Sequence, residues 1–148
     1  MITRLHSKAP ALADRILASR RGVSRLVHEA ARIALENAEP SPAIRAATLS
    51  LVERRAPLDV DLRAQLRALQ EEAENAYLDS MEATDSHETT DAAALTAFRR
   101  ARALAALLLA VSAEDDPQQA AEVVYESLAS CASSEDEARA RLRLEGAL

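Results

Sequence analysis

The most regular pattern in this sequence lies between positions 59 and 80, where small and apolar residues recur four and three positions apart. Its members are Leu62, Leu66, Leu69, Ala73, Ala76 and Ser80. This spacing places side chains on one side of an α-helix and does not fit the two-residue period of a strand. It therefore predicts a long amphipathic helix, which ends by Thr84, where a wholly polar segment without a period begins.

The composition extends the helical prediction to the rest of the chain. The 148 residues include 34 Ala and 21 Leu, but only 2 Gly, 1 Phe, 2 Tyr and no Trp. Such a mixture favours helices and is poor in the β-branched and aromatic residues that are typical of strands. Because 49% of the residues are apolar, a chain of this length can build one hydrophobic core without a disulfide or a metal. We therefore predict a single all-α domain over residues 1–148.

Helix boundaries are marked by prolines, glycines and capping residues. Ser41 and Pro42 predict the start of one helix. Asp116 and Ser134 each open a capping box and predict the starts of the last two helices. Gly146 stands where a C-cap glycine is expected. Together these signals predict a bundle of six or seven helices, with a short α-solenoid as the alternative.

An uninterrupted apolar run at positions 103–111 predicts the central and most buried helix, since a helix that is apolar on every side needs cover all round. Leu104, Leu107, Leu108 and Val111 are therefore expected to be fully buried. The run is much shorter than the ~18 residues that a membrane span needs. The N-terminal residues also lack an apolar segment of signal-peptide length. We expect a cytoplasmic protein without a membrane partner.

Motifs for catalysis or metal binding are incomplete. His28 and Glu29 match the opening of a zinc-protease helix, but Arg32 occupies the position of the second histidine. The acidic residues between positions 79 and 91 lack the glycine and the spacing of a calcium loop. Cys131 continues an apolar helical series, which is typical of a small core residue rather than an activated thiolate. We therefore expect no metal, no cofactor and no catalytic residue, and a non-enzymatic role is favoured.

Charge is polarised along the chain. Residues 1–70 carry 12 basic and 7 acidic side chains, net +5, whereas residues 71–148 carry 6 basic and 17 acidic ones, net −11. Glu122 and Glu126 lie one helical turn apart, and such a like-charge pair destabilises a helix unless something basic lies opposite. We therefore expect an acidic surface that binds a basic protein partner. Its predicted residues are Glu114, Asp115, Asp116, Glu122 and Glu126. The alternative is a solvated surface on which the two halves of the sequence intermix.

Four stretches, at residues 26–34, 41–47, 98–106 and 120–125, resemble a family of small, Ala-rich helical immunity proteins of bacteria. The resemblance covers most of residues 23–131. It implies stoichiometric binding of a toxin rather than catalysis, and it assigns no functional residue.

Three alternatives stay open. A helical domain can assemble a small-molecule or catalytic site from scattered side chains that periodicity does not reveal. A DNA-binding regulator could use Arg20, Arg21 and Arg25 in the basic half, although the net charge of −6 and the scarcity of aromatic residues oppose nucleic-acid binding. Finally, the coiled-coil spacing between Leu62 and Ala76 could pair two copies of the chain as a homodimer.

Overall fold

The fold was taken from a computed structural model, which describes residues 2–19, 22–54, 59–83, 92–112 and 116–148. Within these ranges the chain forms a short 3-10 helix and seven α-helices, and no strand. The 3-10 helix spans Arg4–Ser7, and the α-helices are α1 Pro10–Leu17, α2 Ser24–Ala38, α3 Pro42–Arg54, α4 Val60–Ala83, α5 Ala92–Ser112, α6 Pro117–Ala129 and α7 Ser134–Gly146. The prediction of an all-α bundle of six or seven helices is confirmed.

Helix α5 lies at the centre of the bundle and packs against α2, α3, α4 and α6. Helix α7 covers α2 and α6, while the 3-10 helix and α1 pack on α6. Helix α2 contacts α5, α6 and α7, which are distant from it in the sequence. Each repeat of a solenoid contacts only its neighbours, so the α-solenoid alternative does not describe this fold.

The apolar run of α5 supplies the middle of the core. Leu104 and Leu107 have no exposed surface, and Val111 is also buried. Leu108 is only partly buried, and 36% of Leu109 is exposed. The prediction of full burial is therefore wrong for Leu108, because the neighbouring helices leave a narrow strip of α5 open. None of the described helices is both long and apolar enough to cross a membrane.

The regular seam of α4 packs inside the chain. Leu62, Leu66 and Ala73 are buried, and α4 packs mainly on α5. The two helices form an antiparallel hairpin, in which the rings of Tyr77 and Phe98 lie 5.5 Å apart between centroids. The apolar side of α4 is thus largely used by α5 of the same chain.

Two of the predicted helix starts are confirmed by their caps. The Ser41 hydroxyl accepts a hydrogen bond from the backbone N–H of Ile44 at 3.4 Å. The Asp116 carboxylate accepts one from the backbone N–H of Gln118 at 3.1 Å. In both helices proline follows as the first helical residue, where its missing N–H removes no helical hydrogen bond.

The ends of α7 differ from the predictions by one residue each. The N-cap is Ser133 rather than Ser134, and its hydroxyl accepts from the backbone N–H of Asp136 at 3.1 Å. Gly146 is the last residue of the helix rather than a left-handed residue after it, because Ala147 ends α7 with an ordinary right-handed backbone. Either serine has a side-chain hydroxyl that can cap the helix, and the backbone conformation decides which of the two is the N-cap.

Candidate protein-interaction surface

The five acidic residues that were predicted to bind a partner do not form one open face among the residues described. Glu114 and Asp115 lie outside the described residues. Asp116 caps α6. Glu122 is partly exposed, whereas only 3% of Glu126 is exposed. Asp116 and Glu126 therefore stabilise the fold itself, the first as an N-cap and the second as a buried carboxylate.

Two arginines from other helices compensate the charge of Glu122 and Glu126. Arg4 Nη2 lies 2.6 Å from Glu122 Oε2 and 2.8 Å from Glu126 Oε1. Its guanidinium carbon also sits 4.5 Å from the centre of the Tyr125 ring. From α5, Arg102 Nη1 donates to Glu126 Oε2 at 3.2 Å. Hydrogen bonds to Glu122 and then to Glu126 raise the pKa of Arg4, so this guanidinium keeps its charge.

The basic groups opposite this like-charge pair therefore belong to the chain itself. A partner could reach the Glu126 carboxylate only by displacing Arg4. Charge reversal of Glu126 would accordingly test the fold before it tested a partner. The assignment of these five residues to a partner surface stays a prediction.

A different part of the molecule extends beyond the shared core. On α4 the last residue of the main hydrophobic cluster is Ala73, and on α5 the first is Ala101. Ala94 is buried but does not join that cluster. Helix α2 ends nearby, since the carbonyl of Ala38 accepts from Arg100 Nε at 3.4 Å. We call residues 71–83 of α4 and 92–100 of α5 the hairpin end.

Large apolar side chains are exposed at the hairpin end. The exposed fractions are 55% for Leu78, 50% for Met81 and 39% for Phe98. Tyr77 packs on Phe98, and Leu95 lies on the same side of α5 as Phe98, three residues earlier. These five residues are called the hairpin-end patch. They are not among the partly buried residues that pack against the main cluster.

The same end of α4 is strongly acidic. Residues 70–83 contain five carboxylates and no Lys or Arg, namely Glu71, Glu72, Glu74, Asp79 and Glu82. Glu74 pairs with Arg102 at 3.6 Å. No ion pair within the described part of the chain involves the other four. Spacings of three and four residues bring Glu71, Glu74 and Glu82 onto the flank that carries Leu78 and Met81. On α5 the guanidinium carbon of Arg102 lies 5.7 Å from the centre of the Phe98 ring, so the apolar surface is bordered by carboxylates on α4 and by an arginine on α5.

The sequence prediction missed the hairpin end, although two signals in the sequence point to it. One is the acidic run itself, between Glu71 and Glu82. The other is the position of Tyr77, Leu78 and Met81, all large and none of them part of the buried seam of α4. A helix that carries large apolar residues on a second flank has more apolar surface than one neighbour can cover.

Two cavities are lined by residues that the structure describes. A groove of about 420 Å³ on the other flank of the hairpin is lined mainly by alanines, with Glu72, Thr96 and Arg100 as its polar residues. A cavity of about 560 Å³ lies where α2 begins and is lined by residues that include Arg25 and Leu148.

The residues considered for metal or thiol chemistry have local roles. His28 Nε2 lies 3.2 Å from Glu53 Oε1 and joins α2 to α3. In the ranges that the structure covers, no group of three or more His, Cys, Asp or Glu side chains could hold a metal ion. Burial raises the pKa of the Cys131 thiol, which donates a hydrogen bond to the Ser127 carbonyl at 3.6 Å. The raised pKa favours a neutral thiol over a nucleophilic thiolate.

Comparison with known proteins found no match to this chain among protein-family models, curated proteins or solved structures.

Proposed function

We propose that this protein is a non-enzymatic helical protein-binding module that holds a basic protein partner through an acidic surface, as an immunity-type protein neutralises a toxin. One observation carries the proposal. The hairpin end exposes four carboxylates that have no ion pair in the described chain, beside large apolar side chains that lie outside the core. The proposed surface is therefore the hairpin end, with Glu71 and Glu82 as its central charges.

The charge pattern suits recognition of a cationic protein. Carboxylates that pair with no cation in the described part of the chain add to the negative potential around them, which attracts a basic partner and repels nucleic acid. Their attraction is screened over about 8–10 Å at ordinary ionic strength. Association should therefore be fast at low salt and slow as salt rises.

The proposal includes a cytoplasmic location. The chain has a single cysteine, and a half-buried neutral thiol suits a reducing compartment where disulfides are rare. The partner would be a basic protein of the same compartment, and binding would require no cofactor.

The proposal can be tested by capture from an extract of the native host at low and at high salt. We expect the wild-type protein to enrich basic proteins at low salt and to release them at high salt. The double variant Glu71→Lys, Glu82→Lys should lose this capture, because it replaces the acidic flank by a basic one.

Glu39→Lys with Glu145→Lys is the matched control, since it changes the net charge by the same amount. Both positions lie at helix C-termini, where a cation interacts favourably with the helix dipole. This control should capture what the wild type captures. If all three proteins retain the same basic proteins at both salt concentrations, the acidic-surface proposal is wrong.

A further inference from the structure

We propose that α7 is a cover that opens as a unit from the rest of the folded bundle, and that ion pairs with α2 and with Lys8 keep it closed. Such opening is independent of the proposed function and involves none of the residues of the hairpin end. The observation behind it is that α7 buries few side chains, while its charged residues pair with distant parts of the chain.

Apolar packing contributes less to α7 than to the neighbouring helix α6. Both helices have 13 residues, but α6 buries seven of them and α7 only two, Ala140 and Leu144. The other leucine of α7, Leu142, is 69% exposed. Stabilisation by burial grows with the apolar area removed from water, so this term is small for α7. A helix of this length is also marginal on its own, since isolated helices below about 12–15 residues are barely stable in water.

Ion pairs supply further contacts between α7 and the bundle. Arg143 Nε lies 2.8 Å from Glu29 Oε1, and Arg143 Nη1 lies 2.8 Å from Glu36 Oε2, so one guanidinium joins α7 to two turns of α2. Nearer the start of α7, Glu137 Oε1 lies 2.9 Å from Lys8 Nζ. These five side chains are between 22% and 49% exposed. Dissolved salt therefore weakens the pairs, because it screens charges that are in contact with water.

Opening of α7 would uncover an apolar position on α2. Glu29, Ile33 and Glu36 stand four and three residues apart, which places them on one flank of the helix. Because Arg143 binds both glutamates and α7 packs on α2, this flank faces α7. Ile33 is only 2% exposed in the closed bundle. The ion pairs thus stand on either side of a buried apolar residue.

The rest of the bundle has a core that does not depend on α7. The central helix α5 packs mainly on α2, α3, α4 and α6. Leu26, Leu104 and Leu128, from α2, α5 and α6, are almost completely buried. Proteins open locally in cooperative units whose free energy of opening is below that of global unfolding. Helix α7, with few buried side chains, fits such a unit.

Hydrogen exchange of the full-length protein, followed by mass spectrometry, tests the proposal. Relative to their rates in unstructured peptides, we expect the amides of α7 to exchange about tenfold or more faster than those of α5. Raising NaCl from about 0.02 M to about 1 M shortens the screening length to about 3 Å. This change should speed exchange in α7 about threefold or more, and exchange in α2, α5 and α6 less.

The variant Arg143→Gln should speed exchange in α7 about threefold or more at low salt and reduce the response to NaCl, because it removes both ion pairs with α2. Arg139→Gln is the matched control, since it makes the same change in the same helix. Arg139 pairs with Glu135 and Asp136 of α7 itself. Its loss should change exchange by about twofold or less and leave the response to NaCl intact.

Several outcomes would overturn the proposal. Equal exchange of α7 and α5 would show that α7 opens only when the whole chain unfolds. Joint exchange of α2 and α6 with α7 would show that α7 is not a separate unit. An equal response to NaCl in the wild type and in Arg143→Gln would remove the role of the ion pairs. Circular dichroism checks that the variants are folded, and Glu36→Gln, which removes only one pair, replaces Arg143→Gln if that variant does not fold.

Discussion

At the scale of single residues, burial gives the Glu126 carboxylate a structural role rather than a role in binding a partner. Its side chain is 4% exposed and contacts two arginines, of which Arg4 is 51% and Arg102 25% exposed. A buried carboxylate that is paired on both sides holds the 3-10 helix, α5 and α6 together. Its pairing is a property of the fold, whatever the protein binds.

We predict that Glu126→Gln lowers the free energy of unfolding by about 1–3 kcal/mol, because two guanidiniums then face each other without an anion between them. The loss should be smaller than the ~3–5 kcal/mol for a fully buried pair, since water can reach Arg4. Urea unfolding followed by circular dichroism measures the change.

The control is Glu135→Gln, which removes an exposed pair with Arg139 on α7. Such surface pairs contribute only about 0.5 kcal/mol or less. Equal losses for the two variants would contradict the structural role assigned to Glu126.

At the scale of helices, α7 shows how a start signal is selected. Both Ser133 and Ser134 can cap a helix in sequence terms, and a glutamate three residues after Ser134 favours that residue. In the structure Ser133 has the extended backbone of an N-cap and accepts from Asp136. The helix therefore begins one residue earlier than its capping box indicates.

We predict that Ser133→Ala lowers the free energy of unfolding by about 1 kcal/mol, the usual cost of losing an N-cap hydrogen bond. Ser134→Ala is the control and should change stability by less than about 0.5 kcal/mol, since the residue lies in the helix and alanine has the higher helix propensity. Urea unfolding of both variants at one pH provides the comparison. A larger loss of unfolding free energy for Ser134→Ala than for Ser133→Ala would show that Ser134 is the N-cap.

At the scale of the whole molecule, ion pairs bring the basic and the acidic parts of the sequence together. Arg4 pairs with Glu122 across 118 positions of sequence, and Lys8 pairs with Glu137 at 2.9 Å. In the opposite direction, Arg143 of α7 contacts Glu29 and Glu36 of α2. The polarised charge of the sequence is thus partly neutralised in space, while Glu71, Glu72, Asp79 and Glu82 of α4 have no ion pair within the described part of the chain.

We predict that the protein is a monomer in solution. The α4 seam that suggested a homodimer packs on α5 of the same chain and is not open to a second copy. Light scattering from micromolar to millimolar protein should give the mass of one chain, 16.0 kDa. A dimer that survives high protein dilution and is unaffected by salt would contradict this prediction.

The sequence alone determined the class of fold and most helix boundaries of this protein. Helical periodicity, prolines and capping side chains act within a few residues of one another, so α3 and α6 could be predicted from Ser41 with Pro42 and from Asp116 with Pro117. The buried seam of α4 follows from the same local rule.

Only the tertiary structure decided which of these residues remain at the surface. The local sequence predicts a partner surface at Glu122 and Glu126, yet Arg4 of the same chain pairs with both carboxylates. It also predicts full burial of Leu108, yet the neighbouring helices leave this side chain partly exposed. The exposure of the hairpin end also depends on tertiary packing, because the main hydrophobic cluster reaches only to Ala73 on α4 and to Ala101 on α5. Burial and charge compensation depend on residues brought close by packing, and the neighbours Arg4 and Glu126 are separated by 122 positions in the sequence.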